Sequence, residues 1–294
     1  MKYKTKQQEG FKLVPTFYTL KMVANFNSSS PSAGKPAKVV SSWQKLGLPI
    51  KIIEPEPVTT SNLKLAHSHD YVDKMLACEI NNGFGNKLPE VADSLRYTTG
   101  SMLAAAREAI KNGKVAVAPC SGFHHASHAS AFGYCTFNGL MLTAMILKSE
   151  GLVTKVGILD FDMHYGDGTD ALIEHHKATS WIKHYSAGRE YLTAYQADEF
   201  LARIPELVVE MRDCDVILYQ AGADPHIDDP LGGFLTTEQL KKRDRFVFTM
   251  ADYLDVPIAW NLAGGYQTDS DGGIQAVLEM HNNTMRECCK IYVR

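Results

Sequence analysis

From Val115 onward, short runs of β-branched and apolar residues alternate with longer stretches of three-to-four apolar spacing. That alternation is the mark of parallel strands joined by right-handed helical crossovers, which gives an α/β fold with a central, mostly parallel sheet and helices on both faces. The expected strands are 115–118, 155–159, 181–185, 215–220 and 257–262. The expected helices between and after them are 137–150, 197–212, 237–254 and 272–290. Upstream, 12–18 and 51–53 read as strands, 92–112 as a long helix closed by Gly113, and SSSPSAG at 28–34 as a loop. A length of 294 residues permits one domain or two. With no repeat and no Gly/Ser-rich linker, a single domain over 1–294 is the simplest expectation.

In open α/β sheets, ligands bind beyond the carboxyl ends of the strands. After 155–159 comes Asp160-Phe161-Asp162-Met163-His164-Tyr165-Gly166-Asp167. Alternate residues of a strand share a face, so Asp160, Asp162 and His164 are directed to one side, where close like charges raise a pKa or require a cation. After 115–118 comes Ser121-Gly122-Phe123-His124-His125; after 215–220, Ala221-Gly222-Ala223-Asp224; after 257–262, Ala263-Gly264-Gly265-Tyr266. Each motif alone reads equally well as a capped turn, a pair of packed imidazoles or a surface aromatic. Four of them on one edge of one sheet point to a site.

Asp162, His164 and Asp224 offer two anionic oxygens and one imidazole nitrogen, the donor set of an open catalytic zinc centre, with iron(II) the other candidate. His124 and His125 are then placed to take a proton from an attacking water and return it to a leaving amine. Asp160 and Asp167 are expected to accept the far imidazole N–H groups. Tyr266 can present its phenol to a carbonyl oxygen as negative charge develops. Together these groups suit metal-assisted amide hydrolysis.

Composition removes other classes. A net charge of −3 provides no basic field for nucleic acid or an anionic membrane. No run approaches the roughly 18 apolar residues of a spanning helix, and the opening MKYKTKQQEG has no apolar core of a signal peptide. The six cysteines form no C-x-x-C pair and no disulfide framework, which fits a reducing cytoplasm. The apolar content marks no oligomer interface.

The ordered pattern G-x-H-H, Gly133-Tyr134-Cys135, D-x-D-x-H, G-A-D and G-G-Y resembles the histone deacetylase superfamily, which includes acetylpolyamine amidohydrolases and acetoin-utilisation proteins. The likeness begins weakly at Ala66-His67-Ser68-His69-Asp70-Tyr71-Val72 and is strong from Gly122 to Tyr266. It implies the arginase/deacetylase-like fold, zinc on Asp162, His164 and Asp224, and tandem His124 and His125, the second being the usual general base. It also pairs Asp160 with His124 and Asp167 with His125, and gives Tyr266 the role of polarising the scissile carbonyl. Gly133, Tyr134, Leu231 and Gly265 match substrate-binding positions, and the backbone around Asp160, Asp162 and His164 resembles a potassium site. The implied substrate is an acyl-lysine peptide or another acylated amine, and the chain reads as a compact bacterial-type deacylase.

Two departures stand out. Tyr165 replaces a frequent second His, and Ala263 replaces a Gly in the glycine run. Asn86 is the candidate for the rim that grips substrate. Among rival readings, an arginase-type dinuclear hydrolase would need a second Asp where His226 stands, and a silent acyl-lysine reader would not need Tyr266 or His125. An acetylated polyamine substrate would favour acidic residues at the mouth, for which Asp228 and Asp229 are the suppliers.

Overall fold

Strands buried on both faces need helices above and below them, and from β3 onward the chain supplies these by strict alternation. The computed structural model describes residues 12–293, so the opening segment MKYKTKQQEG lies outside the described residues. In chain order the elements are β1 (Val14–Phe17), α1 (Lys35–Lys45), β2 (Ile50–Ile53), α2 (Thr60–Leu63), α3 (His69–Leu76), α4 (Pro89–Asn112) and β3 (Val115–Ala118). Then follow α5 (Gly139–Ser149), β4 (Val156–Asp160), α6 (Asp167–His175), β5 (Ile182–Ser186) and α7 (Ala197–Glu210). The chain closes with β6 (Val216–Gln220), α8 (Thr237–Tyr253), β7 (Ile258–Asn261) and α9 (Gln275–Tyr292).

The seven strands form one sheet in the order β2-β1-β3-β7-β6-β4-β5. Every pairing is parallel, with Asp160 level with Gln220 and Gln220 level with Asn261. The strands that end in the four motifs, β3, β7, β6 and β4, are consecutive neighbours in that order. Their carboxyl ends therefore open onto one shared volume.

Side chains sort by the two-residue period of the strands. Val115, Val117, Leu159, Ile217, Tyr219, Ile258 and Trp260 face α1, α7, α8 and α9, whereas Ala116, Ala118, Val156, Ile158, Val216, Leu218 and Ala259 face the helices from α2 to α6. On the first face large rings interlock, with Trp260 5.8 Å from Trp43 and 6.0 Å from Phe248. Each such fully buried side chain contributes roughly 1.5–3 kcal/mol. The opposite face carries alanines on β3 and β7, so α4 packs closely there through its own Ala105, Ala106 and Ala109. No helix among the described residues is long and apolar enough to cross a membrane, and all six cysteines are free thiols.

The expected elements are present with ends moved by a few residues, as where α4 begins on Pro89 at its first turn and closes on Gly113 at φ 67°. Four helices lie where none was expected. In α1, Val39, Val40 and Trp43 are buried within a segment otherwise rich in Lys and Ser. The short α2 and α3 are set by their caps, Thr59 and Ser68. Helix α6 starts at Asp167, just past the D-x-D-x-H motif, and buries only Leu172 and Ile173 among its large apolar residues, too few to display a period.

The motif loops are pinned from behind by Arg243 on α8, 1% exposed. Its Nη1 donates to the carbonyls of Phe161 (3.2 Å) and Gly222 (2.7 Å), and its Nε donates to Asp244 (2.8 Å). Asp244 also accepts from Tyr219 Oη at 2.5 Å and Thr284 Oγ1 at 2.6 Å. Removing the guanidinium strands one carboxylate and two carbonyls. Arg243→Leu should lower unfolding free energy by ~3–5 kcal/mol in urea titrations; a loss below ~1 kcal/mol would show that these contacts carry little.

Candidate active site

Beyond the end of β4, Asp162 and His164 turn toward Asp224, which follows β6, while Asp160 lies one layer deeper. His164 Nδ1 sits 3.1 Å from Asp162 Oδ1 and 3.2 Å from Asp224 Oδ2. An ion with bonds of ~2.0 Å in tetrahedral array separates its ligand atoms by about 3.3 Å, so this spacing fits a divalent metal. The second oxygen of Asp162 accepts from Gly264 N at 2.8 Å, but Asp224 Oδ1 is buried without a hydrogen-bond partner. A buried unpaired carboxylate oxygen is costly, and a cation relieves that cost. The local charge balance points the same way. Burial and the neighbouring Asp162 push Asp224 up to about 8, and hydrogen bonds to Asp162 and Asp224 push His164 up to about 11. A Cβ at Gly264 would lie 2.2 Å from Asp224 Oδ2, which is why that loop carries glycine.

The tandem histidines follow β3 and stand side by side with ring centroids 4.1 Å apart. His124 Nδ1 donates to Asp160 Oδ2 at 2.8 Å, and His125 Nδ1 donates to Asp167 Oδ1 at 2.6 Å. The two environments differ. Asp160 is wholly buried and its other oxygen accepts from Gln220 Nε2 (2.9 Å) and Asp162 N (3.2 Å), whereas the Asp167 side chain is 54% exposed. Burial opposes charge on His124, yet Asp160 and Asp162 outweigh it and raise the imidazole to about 9. His125 goes the other way: burial, then the adjacent His124, hold it below the ordinary imidazole value. A neutral imidazole beside a charged one is the division of labour that acid–base chemistry needs.

Tyr134 lies on a tight turn in which Cys135 N donates to Phe132 O at 2.8 Å, with Gly133 at φ 52° and Tyr134 at φ 63°. Positive φ at both central positions is the signature of a type I′ turn, which Tyr134 occupies at some strain. Gly133 is needed twice, because a Cβ there would also meet His125 Cδ2 at 2.6 Å. The turn sets the Tyr134 ring 5.6 Å from both Phe84 and Tyr266, and Tyr266 is 6.4 Å from the His164 ring. Burial, then Asp162, raise the Tyr266 phenol far above its ordinary value, so it stays a hydrogen-bond donor. Leu231 is 48% exposed on a loop tied to Tyr266, and Gly265 sits at φ 138° beside Ala223.

Sequence reasoning missed the residues that hold this loop. Asp229, expected at the mouth, is 6% exposed and accepts from Tyr266 N (2.8 Å) and Leu231 N (3.1 Å). Lys35, wholly buried on α1, donates to the carbonyls of Ala263 (2.6 Å) and Gly264 (3.0 Å); burial lowers it to about 8 against the pull of Asp224 and Asp162. Ala263 stands at φ 48°, so the departure from Gly leaves a left-handed alanine held by that lysine. Gln220 and Asn261 form a buried polar chain behind Asp160, and polar residues closing two apolar strands were the available signal. Asn86, the rim candidate, has its Oδ1 accepting from Asn82 Nδ2 (2.7 Å) and Leu88 N (3.1 Å). His226 is also engaged locally, bridging Thr237 Oγ1 (3.0 Å) and Asp228 N (3.2 Å). Tyr165 turns away to donate to Asp170.

The model of the histone deacetylase domain matches residues 32–192 and 184–280 of this chain. A probable deacetylase of Methanothermobacter thermautotrophicus is 22% identical over 84% of this chain and 84% of its own length. The acetoin utilization protein AcuC of Staphylococcus aureus is 28% identical over 74% of this chain and 67% of its own. The solved structure of an acetylpolyamine aminohydrolase from Burkholderia pseudomallei superposes with a TM-score of 0.75 over 95% of this chain and 99% of that one, at 16% identity, a likeness of fold.

If Asp229 positions Tyr266, removing it should free the Tyr266 amide. Asp229→Ala should speed hydrogen exchange in the peptide around Tyr266 by roughly tenfold to a hundredfold, the equivalent of one charge-assisted hydrogen bond. Unchanged exchange there would assign the loop's order to other contacts.

Proposed function

Because the chain belongs to the histone deacetylase family, we propose that it is a metal-dependent amidohydrolase that removes an acetyl or other acyl group from a lysine side chain or similar amine. The observation that carries this reading is the convergence of Asp162, His164 and Asp224, with one buried Asp224 oxygen unpaired, beside the neutral His125 and the Tyr266 phenol. Asp162, His164 and Asp224 would hold the ion. Zinc is the first candidate and iron(II) the second, since two carboxylates and one imidazole suit either. Such an ion supplies Lewis acidity toward water and the scissile carbonyl.

The remaining chemistry belongs to the side chains. The acyl chain enters past the Tyr134 ring, which with Tyr266 excludes water from one side. His125, its Nδ1 held by Asp167, offers Nε2 to the attacking water and takes its proton. Tyr266 donates to the carbonyl oxygen as it becomes an oxyanion. The imidazolium of His125 then protonates the departing amine, while His124, charged against Asp160, steadies the negative charge between them. The products are a carboxylate and a free amine.

The rival readings have weaker support. A second metal would need the side chain at 226, and His226 already spends both ring nitrogens on Thr237 and Asp228. A silent acyl-lysine reader leaves the ordered His125–Asp167 pair and Tyr266 without a purpose.

The direct test is hydrolysis of acetyl-lysine peptides, longer acyl-lysine peptides and acetylated polyamines by the zinc-loaded protein, with and without chelator. Chelator-sensitive turnover is expected on at least one substrate; turnover that survives metal removal would refute the reading. Tyr266→Phe should reduce kcat by about 100-fold or more with KM little changed; full activity in that variant would remove the phenol from the mechanism. His125 must be neutral to accept a proton, so kcat/KM should fall as pH drops through a value below the ordinary 6.5. Since the hydrogen bond to Asp167 raises His125, Asp167→Asn should move that acidic limb to lower pH and reduce the plateau. An acidic limb above 6.5 would contradict the assignment.

A further inference from the structure

Apart from the Asp162/His164/Asp224 site, one other cluster among the described residues can hold a metal: His128, His175 and His176, whose ring nitrogens, one from each, lie within 4.8 Å of one another. His128 belongs to the loop that leaves the tandem histidines, and His175 and His176 stand at the end of α6. His128 and His175 stack with ring centroids 3.8 Å apart, and His175 and His176 are 4.8 Å apart. The backbone carbonyl of Ala66 receives both His128 Nδ1 (3.0 Å) and His176 Nε2 (2.9 Å). A carbonyl only accepts, so each of these rings carries its hydrogen on that side and keeps a lone pair on the other nitrogen. That is the arrangement by which metal-binding imidazoles are oriented, with the far N–H fixed on a backbone carbonyl.

Two further features favour a cation here. The last turn of α6 presents the negative end of its dipole to these side chains. His175 is exposed and is held below the ordinary imidazole value by desolvation, then by His128 and His176, so its lone pair is free at neutral pH. Three imidazoles and no carboxylate suit zinc, copper or nickel rather than magnesium or calcium.

We propose that His128, His175 and His176 form a second site for a divalent transition metal, separate from the catalytic one. Binding turns the His175 ring out of its stack, which costs one exposed side chain its freedom. The ion joins the loop after His125, the end of α6 and, through Ala66, the segment before α3. Helix α6 begins at Asp167, which holds His125, so the ion stiffens the support of that pair from the far end.

The experiment is zinc uptake by the full chain without an affinity tag, measured by calorimetry and elemental analysis after dialysis against zinc alone. Three proteins are compared: wild type, His175→Ala, and the double variant Asp162→Asn/Asp224→Asn. Wild type should take up two ions, and each variant should lose a different one. Zinc should raise the melting temperature of the carboxylate variant, and this rise should vanish when His175→Ala is added. Circular dichroism checks the fold of each variant, and exposed His175 tolerates alanine. His175→Ala that binds zinc with wild-type stoichiometry and affinity overturns the proposal, as does a carboxylate variant that binds none. A carboxylate variant that keeps both ions would instead count against the catalytic metal reading and leave this site standing.

Discussion

Packing Asp160, Asp162, Asp224, His124 and His164 at the carboxyl ends of β3, β4 and β6 concentrates charge in a volume that water barely enters. Three of these carboxylates are at most 2% exposed. In a low-dielectric setting such groups must share protons, pair with cations or bind a metal. The surrounding architecture follows from meeting that constraint while keeping one Asp224 oxygen free of hydrogen bonds.

The two buried cations nearby illustrate how. Lys35 and Arg243 both come from helices on the same face of the sheet, and both lie close enough to Asp224 to feel its charge. Near the site, neither spends its hydrogen bonds on Asp162 or Asp224. Lys35 holds the carbonyls of Ala263 and Gly264, and Arg243 holds those of Phe161 and Gly222. The loops are thereby fixed and the local potential moderated, while Asp162 and Asp224 remain available to an ion. Asp229 performs the matching task for Tyr266 through the backbone.

Much of this was legible in the sequence, for identifiable reasons. Parallel strands buried on both faces read as short apolar runs, and the motifs stood out because they placed charged residues directly after such runs. That Asp160 and Asp167 accept from imidazoles could be read from the motifs, while their pairing with His124 and His125 came from the family resemblance. What escaped was whatever lacks a local signal. Helix α6 starts just past the D-x-D-x-H motif with no side-chain cap and few apolar residues to mark it, and Lys35 is separated from the loop it holds by most of the chain. Asp229 read as an acid at the mouth because a backbone amide as partner leaves no trace in composition.

The most direct test of the central claim is diffraction from crystals of the zinc-loaded protein on either side of the zinc absorption edge. The expected result is an anomalous peak ~2 Å from one oxygen of Asp162, one oxygen of Asp224 and Nδ1 of His164. Catalytically active crystals with no anomalous density between those three side chains would contradict it.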